Sequence, residues 1–180
     1  MKNNKTLALL KPAIVLTVIC LVSALLLAVV NRFAAPEIER MEQNKLTKTF
    51  STVLPGAAGF EELSTKNAPK SIKKICKETG GKGYALLLTA QSGYHTLEFS
   101  MGIDQDGKIT GVSMISPIHS GGNAAFTNSL PAFLDSFKGV GKDLSGSVDK
   151  VSGASKSSAA MRTAMKEAFS YVETLKKGGA

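Results

Sequence analysis

The amino-acid sequence predicts an α+β fold: a single N-terminal transmembrane helix followed by one extracytoplasmic domain, in which helices lie on one face of an antiparallel sheet. Residues 13–30 form an apolar run without a charged side chain. Over residues 97–103 apolar side chains alternate with polar or small ones, and over residues 157–176 they recur at helical spacing. Because the strand patterns follow one another and the strong helix comes after them, an antiparallel sheet is expected.

The apolar run is long enough to cross a bilayer. Lys2, Lys5 and Lys11 precede it without an acidic residue among them. Because positive residues are biased toward the cytoplasm, this pattern predicts a cytoplasmic N-terminus at residues 1–11 and a transmembrane helix at residues 12–31. The rest of the chain is then expected outside the cytoplasm, anchored to the cell membrane by a single pass.

A cleaved secretion signal is the rival interpretation, because such signals also begin with basic residues and continue with an apolar run. This run is longer than a signal needs, and residues 31–36 offer a poor small-residue cleavage site. Cys20 follows Val18 and Ile19, whereas a lipid-attachment site would follow small residues. We therefore favour a retained anchor, with membrane lipid as its surroundings.

Composition excludes several classes of function. The 180 residues carry a net charge of +8, but they include no Trp and few aromatic residues, and no arginine-rich stripe occurs, so no nucleic-acid partner is expected. The two cysteines, Cys20 in the anchor and Cys76 in the domain, predict neither a disulfide framework nor a thiolate metal site. The lysines within residues 66–77 are interpreted as a solvated loop, with attraction to anionic lipid as the alternative.

After the anchor, the sequence predicts a helical stalk at residues 32–56 and a folded domain at residues 57–180. Pro36 suits the first turn of a helix, and Pro55-Gly56 ends it. Between them the apolar side chains recur at helical spacing, at Ile38, Met41, Leu46, Phe50 and Val53. Residues 57–83 are polar and lysine-rich, which predicts a loop with one short helix near residues 71–76.

Three antiparallel strands are expected next, at residues 84–90, 97–103 and 109–115, because turn sequences separate these apolar segments. The alternation predicts one face against a core and one partly wet. A short helix is expected around residues 130–137, and the clearest helix of the chain at residues 157–176.

The segment directly before that last helix, residues 149–158, is the candidate site. Gly153 and Ala154 allow another group to approach the backbone closely, and the free amides and positive dipole end of the first helical turn favour a phosphate. The alternative is structural: Ser155 or Ser157 caps the helix by accepting a hydrogen bond from its first amides. Spacing alone leaves both interpretations open.

The stretch Asp-x-x-Ser-Gly-Ala-Ser at residues 149–155 resembles the Asp-x-x-(Ser/Thr)-Gly-Ala-Thr signature of the FMN-binding domain family. In that family a flavin transferase joins the FMN phosphate to the last hydroxyl residue through a phosphodiester. The anchor and three further motifs are similar to the RnfG component of the Rnf electron-transport complex and to its relative in the Na⁺-translocating NADH:quinone reductase. Those motifs are VLPGA at residues 53–57, Gly83-Tyr84, and GIDQDGKITGV at residues 102–112.

The resemblance implies a role for each position of the signature. Ser155 is expected to carry covalent FMN, in place of the usual threonine, and its primary hydroxyl can form the same ester. The transferase is expected to recognise the preceding positions, and two further hydroxyls are expected to support the phosphate from the helix start. The recognised positions are Asp149, Ser152, Gly153 and Ala154, and the supporting hydroxyls are those of Ser157 and Ser158.

In the family, a loop reading approximately Glu-Thr-Pro-Gly-Leu-Gly follows the third strand and touches the isoalloxazine ring. Here residues 118–123 occupy that place, and only the glycine-rich character is kept. The resemblance therefore implies ring contacts from Ser120, Gly121 and Gly122. His119 could donate a proton to reduced flavin, but a solvated loop histidine is the favoured interpretation.

The function implied is an electron-transfer subunit carrying covalently bound FMN in an Rnf-type ion-translocating ferredoxin:NAD oxidoreductase complex. Its partners would be the other membrane and iron–sulfur subunits, with a flavin transferase for maturation. Since the flavin performs the redox step, no catalytic residue and no metal ligand are expected. Three alternatives stay open: a stand-alone membrane-anchored flavoprotein for extracytoplasmic electron transfer, a homologue of the related quinone-reductase component, and an unflavinylated membrane-anchored binding or scaffold module.

Overall fold

The structure, a computed structural model, describes residues 3–93, 95–115 and 124–178. Met1–Lys45 and Leu46–Ala180 form two compact units. The elements in chain order are α1 (Asn3–Val53), β1 (Phe60–Leu63), β2 (Ile72–Glu78), β3 (Gly83–Ser92), β4 (His95–Asp104), β5 (Ile109–Met114), α2 (Ala124–Asp135) and α3 (Ser155–Gly178). The fold is α+β, as the sequence predicts.

The first unit contains the candidate membrane span. Pro12–Ala34 has a mean hydropathy of 3.1 and is the one helical segment among the described residues that is long and apolar enough to cross a membrane. All side chains of residues 12–30 are exposed. The helix continues through position 36, so the prediction that Pro36 opens a new helix is wrong. Proline removes one intrahelical bond, but alanine and glutamate, both good helix formers, precede and follow it.

The second unit is built on a five-stranded sheet in the order β1-β2-β3-β4-β5, with every neighbouring pair antiparallel. β3, β4 and β5 are the three strands that the sequence predicts, and α3 is the predicted final helix, extended slightly at both ends. α2 begins earlier than predicted, at Ala124, and contains Pro131. The antiparallel sheet is therefore confirmed and is larger than expected.

β1 and β2 correct the interpretation of residues 57–83 as a loop with a short helix. β2 pairs with β3, with Ile75 opposite Leu86, and the register shifts between Ile72 and Lys74. Lys74 lies 3.6 Å from a carboxylate oxygen of Glu62 on β1. Three of the five lysines expected in a solvated loop, Lys73, Lys74 and Lys77, thus belong to β2, and Glu62 on the neighbouring strand balances the charge of Lys74.

One face of the sheet packs against α2 and α3 and forms the main core. Leu86 and Phe99 from the sheet lie in one buried cluster with Phe133 of α2 and with Met165 and Phe169 of α3. Burial of large apolar side chains such as these is the dominant stabilising contribution to a domain of this size. The predicted apolar stripe of the last helix is therefore the side that covers the sheet.

The opposite face of the sheet is more buried than the alternation predicts, because the end of α1 covers it. Phe50 is buried in a second cluster with Cys76, Ala85 and Leu87. Burial raises the pKa of the Cys76 thiol to about 11. Its sulfhydryl thus stays protonated at neutral pH and serves as a small apolar group in this cluster.

A pair of glycines lets the end of α1 approach the sheet closely. Gly102 on β4 lies opposite Gly111 on β5. A Cβ at Gly102 would lie 2.3 Å from the carbonyl oxygen of Val53, so only glycine fits there. The Thr110 hydroxyl donates a hydrogen bond to the same carbonyl oxygen. The last turn of α1 therefore packs directly on residues of the motif at 102–112.

A buried carboxylate ties two loops together at the other end of β2. Glu78 accepts hydrogen bonds from the backbone amides of Ala58 at 2.8 Å and Lys82 at 2.7 Å. These amide bonds, from Lys82 first and then from Ala58, hold the pKa of Glu78 below its usual range. The loop before β1 and the loop after β2 thus share one carboxylate as their anchor.

This geometry predicts a pH-dependent effect of Glu78→Gln. Because the folded-state pKa is lowered, the ionised carboxylate stabilises the fold above the unfolded-state pKa, and that stabilisation is lost as pH falls through the folded-state value. The variant should therefore melt lower than wild type at pH 7, and the difference should shrink below about pH 4.5. Thermal unfolding from pH 7 to pH 3 checks this, and a difference that grows toward acid pH would contradict it.

Candidate functional site

The candidate site begins with a tight turn before α3. The Ala154 amide donates to the Val151 carbonyl oxygen at 3.0 Å, which closes a four-residue turn. Gly153, its third residue, has φ 75°. This left-handed conformation is typical of glycine at that turn position. Ser152 and Gly153, the two central residues of the turn, are exposed to solvent. Ala154, its last residue, is buried in the core.

The start of α3 decides the question of the helix cap. α3 begins at Ser155, and the Ala154 carbonyl oxygen accepts the bond from the Ser158 amide at 3.0 Å, so Ala154 occupies the N-cap. A methyl group has no acceptor for the first amides, which also lack intrahelical partners. Ser155 is exposed in the first helical turn. Neither Ser155 nor Ser157 is thus the N-cap residue.

The buried side chain of Ser158 links the turn to the start of α3 by hydrogen bonds. Its side chain is 0% exposed. Its hydroxyl donates to the Ala154 carbonyl oxygen at 2.9 Å and accepts from the Val151 amide at 3.3 Å. Support of a phosphate by Ser158 stays a prediction, and the contacts that the structure assigns to its hydroxyl lie within the turn and the first helical turn.

This buried hydroxyl predicts a loss of stability in Ser158→Ala. Removing it leaves the buried Val151 amide without its acceptor, which costs about 1–3 kcal/mol of unfolding free energy. Ser170→Ala, a hydroxyl-to-methyl change on the exposed side of α3, should cost less than about 0.5 kcal/mol. Thermal and denaturant unfolding of both variants checks the difference, and equal midpoints would show that the Ser158 bonds contribute nothing.

Ser157 brings a second element to the site. Its hydroxyl lies 2.7 Å from the hydroxyl of Ser92, at the end of β3. The β3–β4 hairpin therefore meets the first turn of α3. Sequence reasoning missed Ser92, because its partner is 65 residues away and no local pattern connects them.

Asp149 is exposed but held by an arginine that sequence reasoning also missed. Its carboxylate lies 2.9 Å from the Arg162 guanidinium, with side-chain exposures of 82% for Asp149 and 15% for Arg162. The same guanidinium donates to the Ser147 hydroxyl at 2.5 Å and to the Val148 carbonyl oxygen at 3.2 Å. Arg162 thus joins α3 to the segment that precedes the turn.

The remaining predicted contacts lie in the segment between β5 and α2. Ser120, Gly121, Gly122 and His119 fall outside the described residues, so their roles at the ring stay predictions. Among the residues that the structure does describe, no group of three or more His, Cys, Asp or Glu side chains could hold a metal ion.

Two known families match parts of this chain. The FMN-binding domain family matches residues 93–170, which contain the turn, the attachment candidate and most of α3. Residues 93–170 therefore match an FMN-binding domain. A second family, the RnfG N-terminal region, matches residues 1–53, a range that contains α1.

One curated relative matches nearly the whole length of this chain. It is the component designated G of the Na⁺-translocating ferredoxin:NAD⁺ oxidoreductase complex of Acetobacterium woodii, 28% identical over 192 residues, with 93% of each chain covered. The chemistry at the start of α3 fits the FMN phosphate, since an exposed hydroxyl stands in a first helical turn whose N-cap residue has no acceptor.

Proposed function

We propose that this protein is an electron-transfer subunit of an Rnf-type ion-translocating ferredoxin:NAD oxidoreductase complex, and that Ser155 carries its FMN through a phosphodiester. The observation that carries the proposal is the exposed Ser155 hydroxyl at a helix start without a side-chain cap, inside a matched FMN-binding domain. The relative's place in a ferredoxin:NAD⁺ oxidoreductase complex supports the wider assignment.

The residues around Ser155 would hold the phosphate by charge and by shape. The amides of the first turn and the positive end of the α3 dipole favour the negative charge of a phosphodiester. Gly153 is exposed and carries no side chain, and Ser157 offers a hydroxyl that lies 2.7 Å from the hydroxyl of Ser92. Bound FMN supplies the redox chemistry, and the protein supplies its position.

Attachment needs an activated phosphate, because a free phosphate monoester does not esterify an alcohol unaided in water. A flavin dinucleotide provides it. The Ser155 oxygen would form a bond to the phosphorus of the FMN half, the phosphoanhydride bond would break, and the nucleoside monophosphate would leave with the electron pair. The hydroxyl proton passes to a base of the flavin transferase. No oxidation or reduction occurs in this step.

The ester would keep FMN on a domain outside the cytoplasm, where a dissociated cofactor would be lost. The lysines before the apolar segment support a cytoplasmic N-terminus, and a single pass through Pro12–Ala34 then puts the domain outside. Ser120, Gly121 and Gly122, which follow β5 in the sequence, would contact the isoalloxazine ring. Electrons would pass between this flavin and the iron–sulfur and membrane subunits of the complex.

Membranes of the native host test the proposal directly. Separation on a denaturing gel under ultraviolet light should give a fluorescent band at the weight of this chain, and intact mass should exceed the polypeptide mass by one FMN less one water. A bare polypeptide mass from the native host would overturn the flavin assignment. A flavinylated chain that never purifies with iron–sulfur subunits would instead indicate a stand-alone flavoprotein.

A further inference from the structure

We propose that Arg162 is a positioning residue for flavin attachment, acting through Asp149. The inference rests on the proposed function, and it concerns how the transferase reads the signature. Asp149 precedes the attachment residue and Arg162 follows it, so their ion pair at 2.9 Å links the two flanks of the turn. The orientation of the signature would then depend on a side chain outside it.

Contacts other than the Asp149 ion pair also hold the Arg162 guanidinium in place. Its guanidinium also donates to the Ser147 hydroxyl and to the carbonyl oxygens of Val148 and Leu144. It lies 5.9 Å from the centre of the Phe137 ring, where a cation is attracted by the ring face. Because these contacts fix the guanidinium, the ion pair does not bear the usual entropic cost of ordering two long surface side chains.

The aspartate, in contrast, remains available to a partner. With 82% of its side chain exposed, Asp149 contributes little packing to the domain. An exposed carboxylate normally samples several rotamers, whereas contact of one oxygen with a fixed guanidinium favours one of them. An exposed but oriented acid is what a modifying enzyme can recognise, and a buried acid is not.

Lysine cannot replace this arginine. Four acceptors lie around one planar group, and a guanidinium has five N–H donors in a fixed arrangement, whereas an ammonium group is a compact point charge. Leu144, whose carbonyl oxygen is one of the acceptors, has φ 56°, a conformation that is uncommon for leucine. The segment from Leu144 to Asp149 therefore has a specific path that Arg162 stabilises.

The test measures attachment to the full-length protein in detergent, with purified transferase and flavin adenine dinucleotide, well below the unfolding temperature. Arg162→Met keeps the length of the side chain and removes its charge and donors, and it should lower the initial attachment rate about tenfold. Arg162→Lys should recover only part of that loss. Lys166→Met, an exposed cation one turn further along α3, is the matched control and should stay within about twofold of wild type.

A double-mutant cycle separates positioning from a purely structural role. If Arg162 acts through Asp149, Arg162→Met should cause no further loss of rate in an Asp149→Asn background. Independent, multiplying losses would overturn the inference, as would a wild-type rate in Arg162→Met. If the wild-type chain itself accepts no flavin, the proposed function fails instead, so the two failures are distinguishable.

Discussion

Ser155→Ala will abolish covalent FMN while leaving the domain folded. In the proposed function the Ser155 hydroxyl oxygen forms the phosphodiester, so its removal leaves no acceptor at that position. Because the side chain is exposed, the free energy of unfolding of the unmodified protein should change by less than about 0.5 kcal/mol. Gel fluorescence and intact mass, each measured after co-production with the transferase, report the loss.

Two companion variants make this experiment specific. Ser155→Thr should keep the flavin, since it restores the hydroxyl residue of the family signature. Ser170→Ala, a matched loss of one hydroxyl on the exposed side of α3, should be modified like wild type. A fluorescent band that persists in Ser155→Ala would place the ester on another hydroxyl, and Ser157→Ala would then be the next variant to examine.

Gly102→Ala will be strongly destabilising because the added methyl group meets backbone. Its Cβ would lie 2.3 Å from the Val53 carbonyl oxygen and 2.3 Å from the Thr110 hydroxyl, far inside van der Waals contact. To accommodate it, the end of α1 would have to move off the sheet and lose the bond from Thr110. We expect a cost of about 3 kcal/mol of unfolding free energy, the upper range for overpacking.

Gly111→Ala is the matched control on the facing strand. Gly111 is the register partner of Gly102, and a Cβ there would lie 3.3 Å from the Val53 Cα atom, which requires only a small shift. Its cost should be about 1 kcal/mol or less. Circular dichroism during thermal unfolding measures both variants. Similar midpoints for the two would show that the close approach of α1 is not what restricts position 102 to glycine.

The sequence predicted those elements whose periodicity is uninterrupted. β4 alternates from Leu97 to Ile103, and α3 keeps one apolar stripe along its length, so both could be recognised from spacing alone. β2 could not, because the shift in register between Ile72 and Lys74 breaks the period of two. Its exposed lysines add to the effect, since a lysine-rich segment without a period is typical of a loop.

The candidate site was predictable only where it is local. The turn and the helix start lie within one short segment, and a family signature marks them. Ser92 and Arg162 were not predictable, because each depends on tertiary contacts that the fold creates: the β3–β4 hairpin against α3, and α3 against the preceding segment. The N-cap was also open from spacing, since Ser155 and Ser157 were the two candidates and Ala154 occupies the position.

The burial of Cys76 has a practical consequence for electrochemistry. It is the sole cysteine of Leu46–Ala180, and it lies beneath Phe50 with a thiol that resists deprotonation. A thiol that stays protonated at neutral pH and has no second cysteine in the same unit does not form a dithiol–disulfide couple there. In an equilibrium titration, the electrons taken up by the Leu46–Ala180 unit would then belong to an attached flavin alone, and its midpoint could be read without a correction for Cys76.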